Sequence, residues 1–272
     1  MLAANSMKAL PPGASELQSA SASALCDGCR HALSLLDACR CTPGDACVRA
    51  HSGRQIDRFF RANRDEAQHY LNDIFWERRA IAAQYAPKEL LAPLVGDSDE
   101  VVRRVVATRL PLAELVGMLA DPDREVRITL ANRLPEDDLL QLTGDPDYLV
   151  RVVVARRLPH GKLLRMAHDP EREVRKSVAA RLPTFALHQM ADDAEPEVRR
   201  IVAERALPGL AAHLLNDADW WVRHAAVTRA PLESVRALLN DPEAEVRAAV
   251  WQRLEIQSLD SSSHPSNAGE TP

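Results

Sequence analysis

Residues Asp121–Pro135 read D-P-D-R-E-V-R-I-T-L-A-N-R-L-P, and this pattern recurs along the chain every 24 residues. An aspartate occupies the first position seven times, at Asp97, Asp121, Asp145, Asp169, Asp193, Asp217 and Asp241. One arginine follows each aspartate after six residues and another after twelve. An uninterrupted period of this length indicates a stacked-repeat protein, in which each unit buries its apolar face against its neighbours. The pattern therefore favours binding over catalysis.

The quoted stretch predicts one α-helix of about three turns per repeat. We expect Asp121 to be the N-cap and Pro122 to occupy the first helical position, where a missing N–H costs nothing. Val126, Leu130 and Leu134 are spaced by four residues, which places them on one inward stripe. Pro135 then ends the helix.

The rest of each repeat is too short for a second full helix. Nine residues separate Pro111 from Asp121, and Leu115 and Met118 among them are spaced for a 3₁₀ or single-turn helix. An alanine column at one helical position lets successive helices approach closely; its members are Ala107, Ala131, Ala155, Ala179 and Ala203. The sequence thus predicts an all-α body of alternating long and short helices.

The same register extends upstream of the seven clear repeats. Asp73, Arg79, Ala83 and Pro87 match the aspartate, the first arginine, the alanine and the proline of the pattern. We therefore expect a degenerate eighth repeat at the start of the body.

The first arginine column has an acid four residues before each member, as in Asp99 and Arg103. An acid placed four residues N-terminal to a base stabilises a helix by a few tenths of a kcal/mol. This spacing favours ion pairs within each helix.

The second arginine column has no acid at that spacing. Its candidate site residues are Arg109, Arg133, Arg157, Arg181 and Arg205. These side chains either bond terminal carbonyls or the capping aspartate of an adjacent repeat, or form a ladder that binds phosphates or a partner. Because Asp and Glu outnumber Lys and Arg between Asp97 and Leu254, nucleic acid is the second hypothesis.

Composition limits the other function classes. The net charge of −5 gives no general attraction to nucleic acid or anionic lipid. The chain has no apolar run near the roughly 20 residues of a membrane span, and its N-terminus lacks the apolar core of a signal peptide. We therefore expect a cytoplasmic protein without a membrane segment.

All five cysteines lie between Cys26 and Cys47, in the pattern C-x2-C-x9-C-x-C-T-P-G-D-A-C. In a reducing cytosol such clustering indicates a metal site rather than disulfides. Four thiolates suit zinc or an iron–sulfur cluster. A redox dithiol is the alternative, but it leaves three cysteines unexplained.

The repeat unit D-P-D-x-x-V-R-x-x-V-A-x-R-L-P, preceded by this cysteine cluster, resembles the leucine-rich repeat variant family with an N-terminal iron–sulfur domain. The resemblance covers roughly Cys26 to Leu254. It implies a right-handed superhelical solenoid of alternating α- and 3₁₀-helices, and a [4Fe–4S] cluster on four cysteines. The family is often associated with nitrogen-fixing bacteria.

Five cysteines for four ligands leave one spare. We choose Cys26, Cys29, Cys41 and Cys47 as the metal ligands, with zinc as the alternative metal. Cys39 then ends the apolar stretch from His31 and is expected to be a buried helix thiol.

The domain organisation follows from these segments. We expect a disordered leader (1–24), a cysteine-rich iron–sulfur head (25–50), a helical junction (51–72), the repeats (73–256) and a disordered tail (257–272). Six of the eleven aromatic residues fall at the joint between head and repeats, where we expect them to cover the end of the repeat core; shielding of the cluster is the alternative. They are Phe59, Phe60, Tyr70, Phe75, Trp76 and Tyr85.

The sequence shows no nucleophile motif and no phosphate-binding glycine loop. We therefore predict a non-enzymatic protein-interaction scaffold whose cluster transfers electrons or senses redox state or oxygen. A protein partner is expected, and nucleic-acid binding with a structural cluster or zinc site is the alternative.

Overall fold

The structure, a computed structural model, describes residues 24–262, with side chains to residue 255. In this part of the chain the backbone forms helices, turns and one isolated bridge between Thr42 and Ala46, without a strand. The all-α prediction is thus confirmed. The predicted leader and residues 263–272 of the predicted tail lie outside the described residues, apart from residue 24.

The chain divides into two compact units, with the boundary between Arg133 and Leu134. In the first unit the α-helices are α1 (Gly53–Ala62), α2 (Trp76–Tyr85), α3 (Glu100–Arg109), α4 (Leu112–Leu115) and α5 (Arg124–Arg133). The 3₁₀-helices of this unit are Arg64–Tyr70, Lys88–Leu90, Ala92–Gly96 and Val116–Met118.

The second unit continues the alternation. Its α-helices are α6 (Tyr148–Arg157), α7 (His160–Leu163), α8 (Arg172–Ala179), α9 (Pro196–Arg205), α10 (Pro208–Leu214), α11 (Trp220–Val227), α12 (Leu232–Val235) and α13 (Ala244–Ser262). Its 3₁₀-helices are Asp138–Leu142, Leu164–Met166, Thr184–Met190 and Arg236–Asn240. The short second element predicted for each repeat is therefore present, as a 3₁₀-helix, as a short α-helix of at most seven residues, or as both.

The core follows the predicted stripe. Val126, Leu130 and Leu134 are fully buried, as are all five members of the alanine column. Burying one Val or Leu side chain contributes about 1.5–3 kcal/mol, so repeating the stripe in every unit supplies most of the driving force. Among the described residues, no helix has the length and apolarity that a membrane crossing requires.

The recurring aspartate is not the N-cap that the sequence predicts. The carboxylate of Asp97 instead accepts from the backbone N–H of Asp99 at 2.9 Å, which closes a turn ahead of the helix. Asp99 is the N-cap of α3: its backbone is extended and its carboxylate accepts from the N–H of Val101 at 3.0 Å. Pro122 accordingly lies in the turn and not at the first position of α5, which begins at Arg124.

The first arginine column does not pair within its own helix. Nε and Nη2 of Arg103 donate to the two carboxylate oxygens of Asp121, in the next repeat, at 2.8 and 3.1 Å. Nη1 donates to the backbone oxygen of Asp97, in its own repeat, at 2.7 Å. The planar guanidinium matches a carboxylate with two parallel bonds and still has a third donor for the turn. The pairing predicted from the four-residue spacing is therefore wrong: in α3 the acid at that position, Asp99, caps the helix, and Arg103 binds the aspartate of the next repeat.

The same bidentate contact repeats throughout both units. Its further pairs are Arg79–Asp97 in the first unit, and Arg151–Asp169, Arg175–Asp193, Arg199–Asp217 and Arg223–Asp241 in the second. The Arg79 pair confirms that the degenerate repeat heading the body folds like the others, with Ala83 fully buried in α2.

Helix α13 is longer than the other repeat helices. It runs through Ser262 and so enters the segment predicted as a disordered tail. Residues 257–262 contain no proline, the residue that follows the ends of repeat helices such as α3 and α6, and this allows the helix to continue.

Replacing Arg103 by Gln should lower the free energy of unfolding by about 3–5 kcal/mol, because it leaves the buried Asp121 carboxylate without its cation. Arg104→Gln is the matched control on the same helix. Its ion pair with Asp123 is 39% and 23% exposed at the two side chains, so the loss should stay under about 1 kcal/mol. Urea denaturation of both variants measures the difference, and equal losses would contradict the role given to Arg103.

Acid should weaken the same contacts. The hydrogen bond from Arg223 lowers the pKa of Asp241, desolvation opposes this, and the N–H of Glu243 lowers it further. Because the folded pKa lies below the unfolded one, the stabilisation is complete above an unfolded pKa of about 3.9 and is lost as the pH falls through the folded value.

The difference in unfolding free energy between wild type and Asp241→Asn should therefore be largest near neutral pH and shrink below about pH 4. Denaturation at a series of pH values measures it. A difference that grows on acidification would show that the sign of this pKa shift is wrong.

Candidate functional site

The cysteine segment folds as a series of turns ahead of α1. Gly44 lies between Cys41 and Cys47 with a φ of 73°, a left-handed conformation that glycine adopts without strain. The Thr42–Ala46 bridge closes this turn. The turn brings Cys47 back beside Cys41, as the Pro43-Gly44 sequence suggests.

Four cysteines line one cavity in the head. They are Cys26, Cys29, Cys41 and Cys47, the four chosen as ligands from the sequence. Apolar side chains form much of the remaining wall, including Leu25, Leu36, Val48 and Phe59. Cys47 is buried and the other three are partly exposed, so the cavity lies close to the surface.

The four thiols are close enough to influence one another electrostatically. Burial raises the pKa of Cys41, and charges on Cys29, Cys47 and Cys26 raise it further. Burial likewise raises the pKa of Cys26, followed by the effects of Cys29 and Cys47. Four thiolates confined in this cavity repel one another, so a bound cationic centre is needed to keep them all ionised.

Cys39 lies apart from this group and is not among the cavity-lining residues. It is exposed, and its φ of 56° places it in the left-handed region at the end of a run of turns. The expectation of a buried helix thiol is therefore wrong. In the stretch that starts at His31, the backbone oxygen of His31 accepts from the N–H groups of Ser34, Leu35 and Leu36. The backbone therefore forms turns and not a regular α-helix, in which each oxygen accepts from one residue four positions later.

Contacts from α1 and its N-terminal turn hold the cysteine loops in place. The side-chain amide of Gln55 donates to the backbone oxygen of Gly44. The Gln55 backbone oxygen accepts from the N–H of Cys47 at 3.2 Å. The guanidinium of Arg49 donates to the backbone oxygen of Asp27, between the first two cysteines. Residues 49–55 therefore hold both cysteine segments, the one around Cys26 and Cys29 and the one from Cys41 to Cys47, through hydrogen bonds.

Asn63 ends α1 and is completely buried. Its amide nitrogen donates to the backbone oxygens of Arg40 at 2.8 Å and Phe59 at 2.9 Å. It therefore joins the segment before Cys41 to the helix that carries Phe59. No sequence motif predicts this role for Asn63; only its place after an amphipathic helix indicates a capping residue.

His31 and Tyr70 form a second unpredicted contact on the cavity wall. Nε2 of His31 lies 2.7 Å from the Tyr70 hydroxyl, and the imidazole is 3% exposed. Burial lowers the pKa of His31 although the Glu66 carboxylate opposes it, and burial raises the pKa of Tyr70 to about 12. At neutral pH the pair is therefore an uncharged hydrogen-bonded group.

The aromatic residues of the joint pack around this pair. The rings of Phe59 and His31 are 5.2 Å apart, and Phe60 lies edge-on to Phe59 and to Tyr70. Since Phe59 also lines the cysteine cavity, one cluster both packs the joint and separates the cavity from water on that side.

The donor set fits an iron–sulfur cluster. Four soft thiolates with apolar walls are the usual surroundings of such a group. Four thiolates also suit a single zinc ion, which would bind them through Zn–S bonds of about 2.3 Å. Among the described residues, no three His, Cys, Asp or Glu side chains are grouped to hold a single metal ion.

The second arginine column bonds backbone oxygens of the preceding repeat. Arg181 donates from Nη1 to the carbonyls of Ala155 and Leu158 at 2.7 and 2.8 Å. Arg109, Arg133 and Arg205 make the corresponding contacts in their repeats. Arg157 also has a bonding partner. This geometry favours the terminal-carbonyl interpretation of the column over a phosphate-binding ladder.

Comparisons with known proteins agree with this arrangement. A family model described as an LRV protein FeS4 cluster matches residues 22–69, and one described as a leucine-rich repeat variant matches residues 124–147. A solved structure titled as a leucine-rich repeat variant with a novel repetitive protein structural motif is 56% identical. The match covers 84% of this chain and 97% of that one, with a TM-score of 0.80.

A curated relative is described as an uncharacterized 27.7 kDa protein in the nifB 3′ region of Rhodobacter capsulatus. It is 37% identical over 104 residues, which are 38% of this chain and 42% of the relative. The aligned part therefore spans less than half of that protein. Together these matches confirm the resemblance seen in the sequence.

Proposed function

The chain belongs to the leucine-rich repeat variant family, and from that premise we propose that its head holds one [4Fe–4S] cluster on Cys26, Cys29, Cys41 and Cys47. The repeat body acts as a scaffold for a protein partner. The cluster supplies one-electron chemistry, through which the protein transfers electrons or senses redox state or oxygen. The observation that carries the proposal is the convergence of these four thiols on one apolar-walled cavity.

Solvent access supports a redox role over a purely structural one. Three of the four thiols are partly exposed, so a bound cluster would lie within reach of a docked partner or of oxygen. Phe59 and the uncharged His31–Tyr70 pair shield the opposite wall. Exposure and nearby hydrogen bonds both set the potential of such a cluster.

The repeat body supports binding and not catalysis. The first arginine column joins repeats, the second bonds carbonyls, and the described surface carries exposed aromatic side chains such as Trp221 and Trp251. Large exposed aromatic side chains are typical of protein interfaces. A reducing cytoplasmic location suits the unpaired thiols.

Protein purified without oxygen should be brown and contain about four irons and four sulfides per chain. Cys47→Ser should abolish the cluster, whereas Cys39→Ser, the matched control outside the cavity, should leave metal content and colour unchanged. Iron and sulfide analysis with absorption spectra measures both. Colourless wild-type protein with one zinc would contradict the cluster, and loss of iron in the Cys39 variant would overturn the ligand choice.

A nucleic-acid binding assay distinguishes the scaffold function from the alternative function, nucleic-acid binding. Because the second arginine column is bonded to backbone oxygens and the chain is acidic, labelled duplex DNA and single-stranded RNA should show no salt-sensitive binding. Fluorescence anisotropy at low and physiological salt measures this. Affinity that falls steeply with salt, and disappears in Arg181→Gln while the circular dichroism is unchanged, would favour the nucleic-acid function.

A further inference from the structure

In the part of the chain whose side chains are described, the last arginine of the first column, Arg247, has no carboxylate partner like those of its predecessors. In the second unit, Nε and Nη2 of Arg151, Arg175, Arg199 and Arg223 each bond the aspartate 18 residues ahead. The residue 18 positions after Arg247 is Pro265. Among the described side chains, no carboxylate pairs with Arg247.

The guanidinium of Arg247 is nevertheless held as in the complete pairs. Its Nη1 donates to the backbone oxygens of Asp241 at 2.5 Å and Pro242 at 2.9 Å. Arg223 makes the same two contacts, with Asp217 and Ala218, at 2.9 and 3.0 Å. The Nε and Nη2 edge of Arg247 is therefore preorganised for a carboxylate.

Trp251, in the same helix, stands at the position that alanine occupies in most of the preceding repeats. In the preceding repeats of the second unit, the residues at this position are at most 1% exposed; they are Ala155, Ala179, Ala203 and Val227. Trp251 is 55% exposed. A position that is buried in every preceding repeat carries here a large, half-exposed aromatic ring beside the unpaired guanidinium.

We infer that the end face formed by Arg247, Trp251 and the partly exposed Leu254 binds a helix of another protein that is headed by an aspartate turn. The aspartate would take the place that Asp241 takes on Arg223, and small apolar side chains of the helix would cover Trp251. The four complete interfaces of the second unit show that an arginine in this orientation binds the aspartate of such a segment. They have Ala or Val where the end face has Trp251, so the partner helix must leave room for the indole.

A second copy of this chain fits the end face less well. Asp73 heads the first repeat, but both of its carboxylate oxygens are bonded by Arg78 and one also accepts from the N–H of Phe75. The aspartates of the later repeats are paired as well. Because the described aspartates that head the repeats are already paired, an aspartate from a different protein fits the end face better.

The length of α13 also indicates which side chains the partner helix requires. Within the other repeats, carbonyls at the end of the helix accept from the second arginine of the following repeat, as Ala155 and Leu158 do from Arg181. Because α13 continues through Ser262, the carbonyls of Trp251 and Leu254 lie inside the helix. The partner helix thus needs the aspartate but not the second arginine.

This inference deepens the scaffold part of the proposed function, and it can be tested without reference to the cluster. The probe is a labelled, end-capped peptide with the sequence of residues 169–190, which carries the aspartate turn and helix of one repeat. Its binding to the full-length protein is followed by fluorescence anisotropy. The controls are the same peptide with Asp169→Asn and the protein variants Arg247→Gln and Arg236→Gln.

The wild type and the Arg236 variant, whose altered side chain is exposed on a 3₁₀-helix, should bind the peptide equally. The Arg247 variant and the Asn peptide should each weaken binding at least tenfold. No binding to the wild type, or equal binding to the Arg247 variant, would overturn the inference.

Two further outcomes would assign the end face to another occupant and overturn the inference as well. Binding that appears only after removal of residues 263–272 would identify the chain's own tail. A dimer seen by sedimentation in the wild type and lost in Arg247→Gln would identify a second copy. A protein that carries its cluster but ignores the peptide would refute this inference and leave the proposed function standing.

Discussion

The fold depends on a guanidinium that bridges two repeats. Arg175 donates one N–H group to the turn of its own repeat and two others to Asp193 in the next. The same aspartate orders the turn before the following helix through the N–H of Glu195. Each contact therefore fixes the position of one helix and the start of the next. Apolar burial supplies the larger free energy, but it is not directional, so the Arg–Asp contact sets the register.

The 24-residue period was sufficient to predict the helices, the buried stripe and the alanine column, because helical spacing determines which residues share a face. It did not identify the partner of Arg103, since acids stand both four residues before it and 18 residues after it. Which acid binds Arg103 depends on where the helix begins. Asp99 is the N-cap and accepts from the N–H of Val101, so Arg103 binds Asp121 instead. Local spacing carries no information on that competition.

The head was predictable in composition but not in detail. The four cysteines of the C-x2-C and C-x5-C pairs, predicted as ligands, line one cavity. Cys39 lies outside it and is exposed, whereas the sequence predicted a buried thiol. The contacts that hold the cavity span 39 residues from His31 to Tyr70 and 23 from Arg40 to Asn63. A segment built from turns has no periodicity from which such long-range hydrogen bonds can be read, whereas the repeats do.

A double-mutant cycle tests most directly whether contacts between repeats, and not pairs within helices, organise the body. Arg175→Gln and Asp193→Asn are made singly and together, and Arg175→Gln is combined separately with Glu171→Gln, four residues before it. If contacts between repeats organise the body, Arg175 should couple with Asp193 by about 2 kcal/mol or more, and with Glu171 by a few tenths at most. A larger coupling with Glu171 than with Asp193, measured by urea denaturation, would contradict it.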